Sequence, residues 1–251
     1  MVTIVTSLSK NLWDSYAKGS LLSWARHIKG DYLLVVTVDG PIPSDITSVV
    51  PKGTKVISID NIPDFKGFMA RYPNVPTMPP NVPPEHTFRF DYLRFWPKAF
   101  SLKYASDLAN GNPVLWLDAD VSFFKDVTTD TILRDFQQGY SIVCLDRGAP
   151  WGYMDSGYFG FRGIEGTKVI DDLYNIYTTG SIFNYKECHD AWLLSRVLDL
   201  RGKEWYQRNV LSLSPREDTK DGAKYLNPME HTWLKAHCVH FKGNRKGEAA
   251  S

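Results

Sequence analysis

A bias toward either sign of charge is missing from this 251-residue sequence. Its 29 lysines and arginines face 28 aspartates and glutamates, for a formal net charge of +1. That balance gives no general field for nucleic acid or an anionic membrane, and leaves room only for local basic clusters. Cysteine is scarce as well. Cys144, Cys188 and Cys238 are odd in number and scattered, with no paired metal spacing. They argue against a disulfide framework and fit a reducing compartment. Long apolar runs are absent too; none approaches the roughly 20 residues that cross a bilayer. The chain opens on Val2-Thr3-Ile4-Val5-Thr6, which reads as a strand rather than a basic and apolar leader. A cytoplasmic setting without a transmembrane segment is the expectation. Aromatic residues, in contrast, are plentiful at 14%, and they serve either as core fillers or as stacking surfaces for sugars and bases. A hydrophobic content of 43% suits one large soluble domain.

The first third of the chain reads strand, helix, strand. Val2 to Thr6 is followed by Asp14 as an expected N-cap, and Ala17, Leu21, Ala25 and Ile28 recur at helical spacing. Gly30-Asp31 ends that helix. Tyr32 to Val38 is too continuously apolar for a half-exposed strand, and Lys55 to Ile59 forms a third strand. This order predicts a parallel, right-handed βαβ unit. Residues 73 to 84, PNVPTMPPNVPP, are barred from helix and central strand by their prolines and read as a stiff excursion. Phe88 to Ala109 is helical in pattern, with a break or a fresh start expected near Trp96 because Pro97 follows.

The run Val114-Leu115-Trp116-Leu117-Asp118-Ala119-Asp120 carries the most chemistry. Four apolar residues make a buried strand, and two carboxylates follow at i, i+2. On a pleated strand they would share a face, roughly 7 Å apart. Two such charges at the end of a buried strand call for a cation, because desolvating them alone costs several kcal/mol each. In open α/β sheets, ligands sit off the carboxyl ends of the strands. The other reading is a solvated turn. Near the other end stands His240-Phe241-Lys242-Gly243-Asn244-Arg245-Lys246, in the pattern His-x-x-Gly-x-x-Lys. An imidazole completes a metal site made otherwise of oxygens, Gly243 lets backbone approach a diphosphate, and Lys246 neutralises it. Taken alone, the segment from 242 onward also reads as a basic tail.

Together these motifs resemble those of nucleotide-sugar glycosyltransferases of the GT-A fold, specifically the retaining type that includes glycogenin and the bacterial lipopolysaccharide galactosyltransferases. The resemblance is strongest at residues 2 to 19, 88 to 126 and 236 to 246. In that family Pro-Trp follows the lysine, whereas Gly247-Glu248 stands here. The resemblance implies an α/β fold with a mixed, mainly parallel sheet between helices in a single domain, 1–251. The nucleotide-binding half would span about 1–126 and the acceptor-side half about 127–251. It implies Asp118, Asp120 and His240 as ligands of Mn²⁺ or Mg²⁺. Thr6, Ser7, Tyr16, Asp91, Arg94, Asp118, Gly243 and Lys246 would hold the donor, a nucleoside diphosphate sugar. Tyr16 reads equally well as a core-facing helix residue, and Asp91 and Arg94 as a surface pair three residues apart. Lys98 is a weaker candidate for phosphate contact.

Asp155-Ser156-Gly157 stands where related enzymes carry an Asn-Ala-Gly turn lining the donor-sugar pocket. Asp190 stands where an acidic residue lies beneath the anomeric carbon, or else it is simply a helix N-cap. Asp155, Asp190 and Lys246 are thus the catalytic candidates. The implied enzyme is a metal-dependent hexosyl- or pentosyltransferase that retains configuration. Its acceptor is open among a glycan, a protein and a hydroxymethylated base in phage DNA, for which Arg208, Arg216, Lys220 and Lys224 would supply positive charge. A nucleotidyltransferase is disfavoured because Ser7 to Lys10 lacks a glycine-rich phosphate loop. A non-enzymatic nucleotide-sugar-binding module is disfavoured by the full set of metal ligands.

Overall fold

A computed structural model describes residues 1–72, 82–137, 139–147, 153–214 and 227–241. The amino-terminal unit follows the expected order. Strand β1 (Val2–Ser9) leads into a short helix α1 (Lys10–Leu12), a π-helical turn over Trp13–Ala17, and α2 (Lys18–His27). The helical stretch therefore starts earlier than its periodicity indicates. Ser9, not Asp14, caps it, accepting the Leu12 N–H at 3.4 Å. Asp14 instead sits within the stretch and pairs with Lys10 on the surface. Ile28, expected inside a helix that Gly30-Asp31 ends, belongs instead to a two-residue strand β2 (Ile28–Lys29). Gly30 follows at φ 108°, where a Cβ would meet Thr129 Oγ1 at 2.3 Å, so both its backbone angle and its close approach require glycine.

Next come β3 (Tyr32–Asp39), α3 (Ile46–Val49), β4 (Lys55–Ser58) and α4 (Phe65–Arg71). Most of the Pro-rich excursion, 73–81, lies outside the described residues. A 3₁₀ helix over Pro84–Phe90 then leads into α5 (Tyr92–Ala109). This helix runs through Pro97 without the expected break. Losing one N–H near its start is outweighed by burial of Trp96, Ala99, Phe100 and Leu102 along the same helix. It ends at Asn110, in the left-handed conformation at φ 47°.

The remainder supplies β5 (Val114–Leu117), β6 (Val121–Phe123), β7 (Val127–Thr128), α6 (Thr129–Gln137), β8 (Ile142–Leu145) and β9 (Asp155–Phe161). After these come α7 (Gly163–Thr178), α8 (Asp190–Asp199), α9 (Lys203–Asn209), β10 (Val210–Ser212) and β11 (Cys238–His240). The Asp155-Ser156-Gly157 segment is thus not a turn before a strand but the strand itself.

Seven strands form one mixed sheet in the order β10-β8-β9-β5-β1-β3-β4. β4, β3, β1 and β5 are mutually parallel, while β9 runs antiparallel to both its neighbours. Side-chain alternation divides the core into two layers. Val5, Val35, Trp116 and Phe159 face α4, α5, α7 and α8. Ile4, Val36, Leu117 and Tyr158 face α2 and α6. The three cysteines are free and buried. Among the described residues no helix is long and apolar enough to cross a membrane.

Asp135 of α6 ties this second layer together. Its carboxylate accepts from Tyr158 Oη at 3.1 Å and from Trp233 Nε1 at 3.3 Å, and burial pushes its pKa up to about 6 despite those donors. Because the folded value exceeds the ordinary 3.8, the proton stabilises the folded state fully below pH 3.8, and that contribution is lost as pH rises toward 6. The melting temperature of wild type relative to Asp135→Asn is therefore expected to fall between pH 4 and 6 and then level off. A difference that is flat across this interval would contradict the assignment.

Candidate active site

The carboxyl ends of the parallel strands open on a cavity of about 520 Å³. Its lining includes Ser7 and Ser9 from β1, Tyr16 from the π-helical turn, Asp39 from the end of β3, Trp116, Asp118 and Asp120 from β5 and the turn after it, and Ser156 and Asp190 from β9 and α8. One stripe of α5 completes it. Asp91, at the start of that helix, together with Arg94 and Lys98 follow i, i+3, i+7 spacing and all face the cavity. The expected Ser7, Tyr16, Asp91 and Arg94 are therefore brought together. Thr6 is not. It is fully buried and absent from the lining, lying deeper along β1 than Ser7, with which the cavity lining begins.

Asp118 and Asp120 do not share a strand face as the pleat would have it. β5 stops at Leu117, and Asp118-Ala119-Asp120 form a turn closed by the Val121 N–H on the Asp118 carbonyl at 3.0 Å. The turn, not the pleat, gathers the carboxylates. His240 reaches them because β11 pairs antiparallel with β6, setting His240 opposite Val121, while the Phe241 N–H donates to the Asp120 carbonyl at 3.0 Å. His240 Nε2 lies 3.0 Å from Asp120 Oδ1 and 3.7 Å from Asp118 Oδ2. One donor atom from each residue falls within 4.8 Å of the other two. Two carboxylates and an imidazole that close together, with His240 and Asp120 buried, form a donor set that fits a divalent cation. Gly243 and Lys246 lie outside the described residues. So do Arg216, Lys220 and Lys224; Arg208 is on the surface of α9, its Nε donating to the Glu204 carbonyl.

The centre of the site is a residue that sequence reasoning ranked low. Lys98 Nζ is buried and donates to Asp190 Oδ2 at 2.6 Å, the Ser156 carbonyl at 2.8 Å and Asp118 Oδ1 at 3.1 Å, and it lies 4.5 Å from the Trp116 ring centroid. Burial opposes its charge, but the two carboxylates more than offset that and hold the ammonium above its ordinary range. Asp190 is the counterpart. Burial would raise its pKa, yet the charge and hydrogen bond of Lys98 and the Ser156 hydroxyl at 2.6 Å bring it to about 2. Nor is Asp190 the helix cap. His189 occupies that position, its Nδ1 accepting the Trp192 N–H at 3.3 Å, and its Nε2 lies 3.0 Å from Glu187 Oε2. Asp155 stands behind the metal candidates and outside the cavity lining, paired with Arg147 at 2.8 Å.

The crystal structure of mouse xyloside xylosyltransferase 1 in its apo form is similar to this chain at a TM-score of 0.51 and 9% identity, covering 85% of this chain and 86% of that one. The two share a fold. It is the GT-A-like Rossmann arrangement that the Asp-x-Asp resemblance implies. No protein-family model matches the sequence, and no curated protein matches it. Within the GT-A-like sheet, Asp118 and Asp120 occupy the ligand-facing carboxyl edge beside β1, from which the chain first builds outward through β3 and β4 before returning on the other side with β5.

The signal for Lys98 was present in the sequence as the continuation of the Asp91–Arg94 stripe by one turn. The break expected at Pro97 left it the weaker candidate. Replacing Lys98 with methionine leaves two carboxylates without their shared cation, and is expected to lower unfolding free energy in urea by about 3 kcal/mol. Adding Asp190→Asn to that variant should restore part of the loss. A double variant no more stable than Lys98→Met would show that the pair is not coupled.

Proposed function

We propose that this protein is a divalent-metal-dependent glycosyltransferase. In this reading it moves a hexosyl or pentosyl unit from a nucleoside diphosphate sugar to an acceptor hydroxyl, with retention of anomeric configuration. The observation that carries it is the convergence of Asp118, Asp120 and His240 at the carboxyl edge of a sheet whose fold is shared with a xylosyltransferase. The three would hold Mn²⁺ or Mg²⁺. A cation there supplies Lewis-acid neutralisation of the leaving diphosphate.

The chain's own groups divide the remaining work. Ser7 and Tyr16 border the end of the cavity proposed for the nucleoside, and Arg94 offers a guanidinium for phosphate or sugar oxygens, with Asp91 beside it. Gly243 and Lys246 keep the diphosphate role that the resemblance to retaining glycosyltransferases implies. Asp190, held ionised by Lys98 and Ser156, presents negative charge to the positive character that grows at the anomeric carbon as the glycosidic bond lengthens. The free cysteines are in keeping with a cytoplasmic enzyme, and its acceptor is a glycan, a protein or a modified DNA base.

A panel of nucleoside diphosphate hexoses and pentoses, assayed for hydrolysis with and without Mn²⁺, tests the reading. Chelation is expected to abolish turnover. Asp120→Ala should lower kcat by about 10²-fold or more while remaining folded. Wild-type turnover by that variant in chelator would refute the metal assignment. Asp190→Asn preserves shape but removes a charge, so transfer should collapse while donor affinity holds, with a modest drop in melting temperature from the weakened Lys98 contact. Full activity would return Asp190 to a purely structural role.

A further inference from the structure

The chain as a whole balances its charges, but the cavity does not. Its described lining residues include five aspartates, Asp39, Asp91, Asp118, Asp120 and Asp190, against two cations, Arg94 and Lys98. Lys98 is not available to a ligand. An ammonium has three N–H donors, and here they are taken by Asp190 Oδ2, the Ser156 carbonyl and Asp118 Oδ1. Arg94 is thus the one lining cation left among the described residues, its guanidinium 5.6 Å from the Phe95 ring centroid. Asp190 has capacity to spare in the opposite sense. Both hydrogen bonds it accepts among the described residues, from Lys98 and from the Ser156 hydroxyl, fall on Oδ2. Its side chain stays 12% exposed and lines the cavity, so Oδ1 is the oxygen left to face a ligand.

We propose that the donor sugar is a neutral hexose or pentose, and that Asp190, through its free Oδ1, excludes uronic acids from the site. The inference rests on the donor reading above, which sets Asp190 beneath the anomeric carbon. A carboxylate on C5 of the same ring would stand within one ring width of Oδ1, in a cavity with no spare cation to neutralise it. The divalent cation is no remedy. Its charge is matched by Asp118 and Asp120, and the two charges of the diphosphate already call on Arg94 and, by the resemblance, Lys246. Like charges brought together away from bulk water repel, and a site selects by such repulsion as much as by attraction. A hydroxyl in place of the carboxylate reverses the sign of the contact, because it can donate to Oδ1. The same cavity therefore welcomes a neutral sugar and resists an acidic one of nearly equal size.

Three esters of one nucleoside diphosphate test this by binding alone. They share a ring and differ only at C5, where xylosyl carries hydrogen, glucosyl a hydroxymethyl group and glucuronosyl a carboxylate. Calorimetric titration of the protein with UDP, GDP, ADP, CDP and dTDP in the presence of Mn²⁺ first selects the base. The xylosyl and glucosyl esters of that diphosphate are then expected to bind about tenfold or more tightly than the glucuronosyl ester. Asp190→Asn preserves the shape of the side chain and removes its charge, so it should narrow that gap severalfold. A glucuronosyl ester bound as tightly as the glucosyl ester would overturn the proposal, and so would a gap unchanged in folded Asp190→Asn. Tight binding of the xylosyl ester with the other two equally weak would assign the selection to size and also overturn it. Should Asp190→Asn not fold, the wild-type comparison of glucosyl with glucuronosyl ester still decides. Protein that binds none of the five diphosphates with Mn²⁺ would overturn the donor reading itself, an outcome distinct from the others.

Discussion

One buried ammonium organises this site. Lys98 projects from α5 to meet Asp118 at the end of β5, the backbone of Ser156 in β9 and Asp190 at the start of α8. Four elements are joined at a single charge. A lysine is costly to bury, and is tolerated here because all three of its donors find acceptors, two of them anionic. The same contacts fix which oxygens remain for other work. Asp118 gives Oδ1 to Lys98 and to the Trp116 indole at 2.6 Å, which leaves Oδ2 on the side of His240. Loss of this ammonium would disturb the metal candidates and the Asp190 carboxylate together.

The rest of the site follows from how the strands end. Parallel strands direct their carboxyl ends to one edge, so residues at the ends of β1 and β3 and just after β5 gather there although far apart in sequence. His240 arrives by a different device. The small β6–β11 ladder returns the carboxy-terminal segment to the Asp118–Asp120 turn, and the Trp24 indole, donating to the Val121 carbonyl at 2.6 Å, fastens that ladder to α2. The proposed cation site therefore depends on a pairing between segments more than a hundred residues apart, and on Gly157, whose lack of a side chain admits the imidazole.

Much of the fold was legible in the residues. Continuous apolar runs at 2–6, 32–38 and 114–117 are buried strands because parallel sheets are covered on both faces, and the structure places all three at the centre of the sheet. Boundaries were harder to read. The helix after β1 begins with a Ser9 cap and a π-helical turn that no apolar periodicity marks, and α5 continues through a proline because the packing of Trp96 and Phe100 outweighs one missing hydrogen bond. The resemblance implies a turn at Asp155-Ser156-Gly157, yet these residues open β9, a strand whose later residues pair with β5 on one side and β8 on the other.

What the sequence alone determined is the chemistry on offer. An apolar strand ending in two carboxylates, a histidine far downstream and an acid–base stripe on a helix name the participants, since residue type and spacing decide which groups can bind a cation or a phosphate. What the tertiary structure decided is their geometry. The carboxylates converge through a turn rather than a pleat, Thr6 lies buried while Ser7 lines the cavity, and Lys98 moves from the margin to the centre. Asp190 is a partner of that lysine rather than a cap. These outcomes depend on long-range pairing and on which buried charges find partners, and neither is encoded in any local window of sequence.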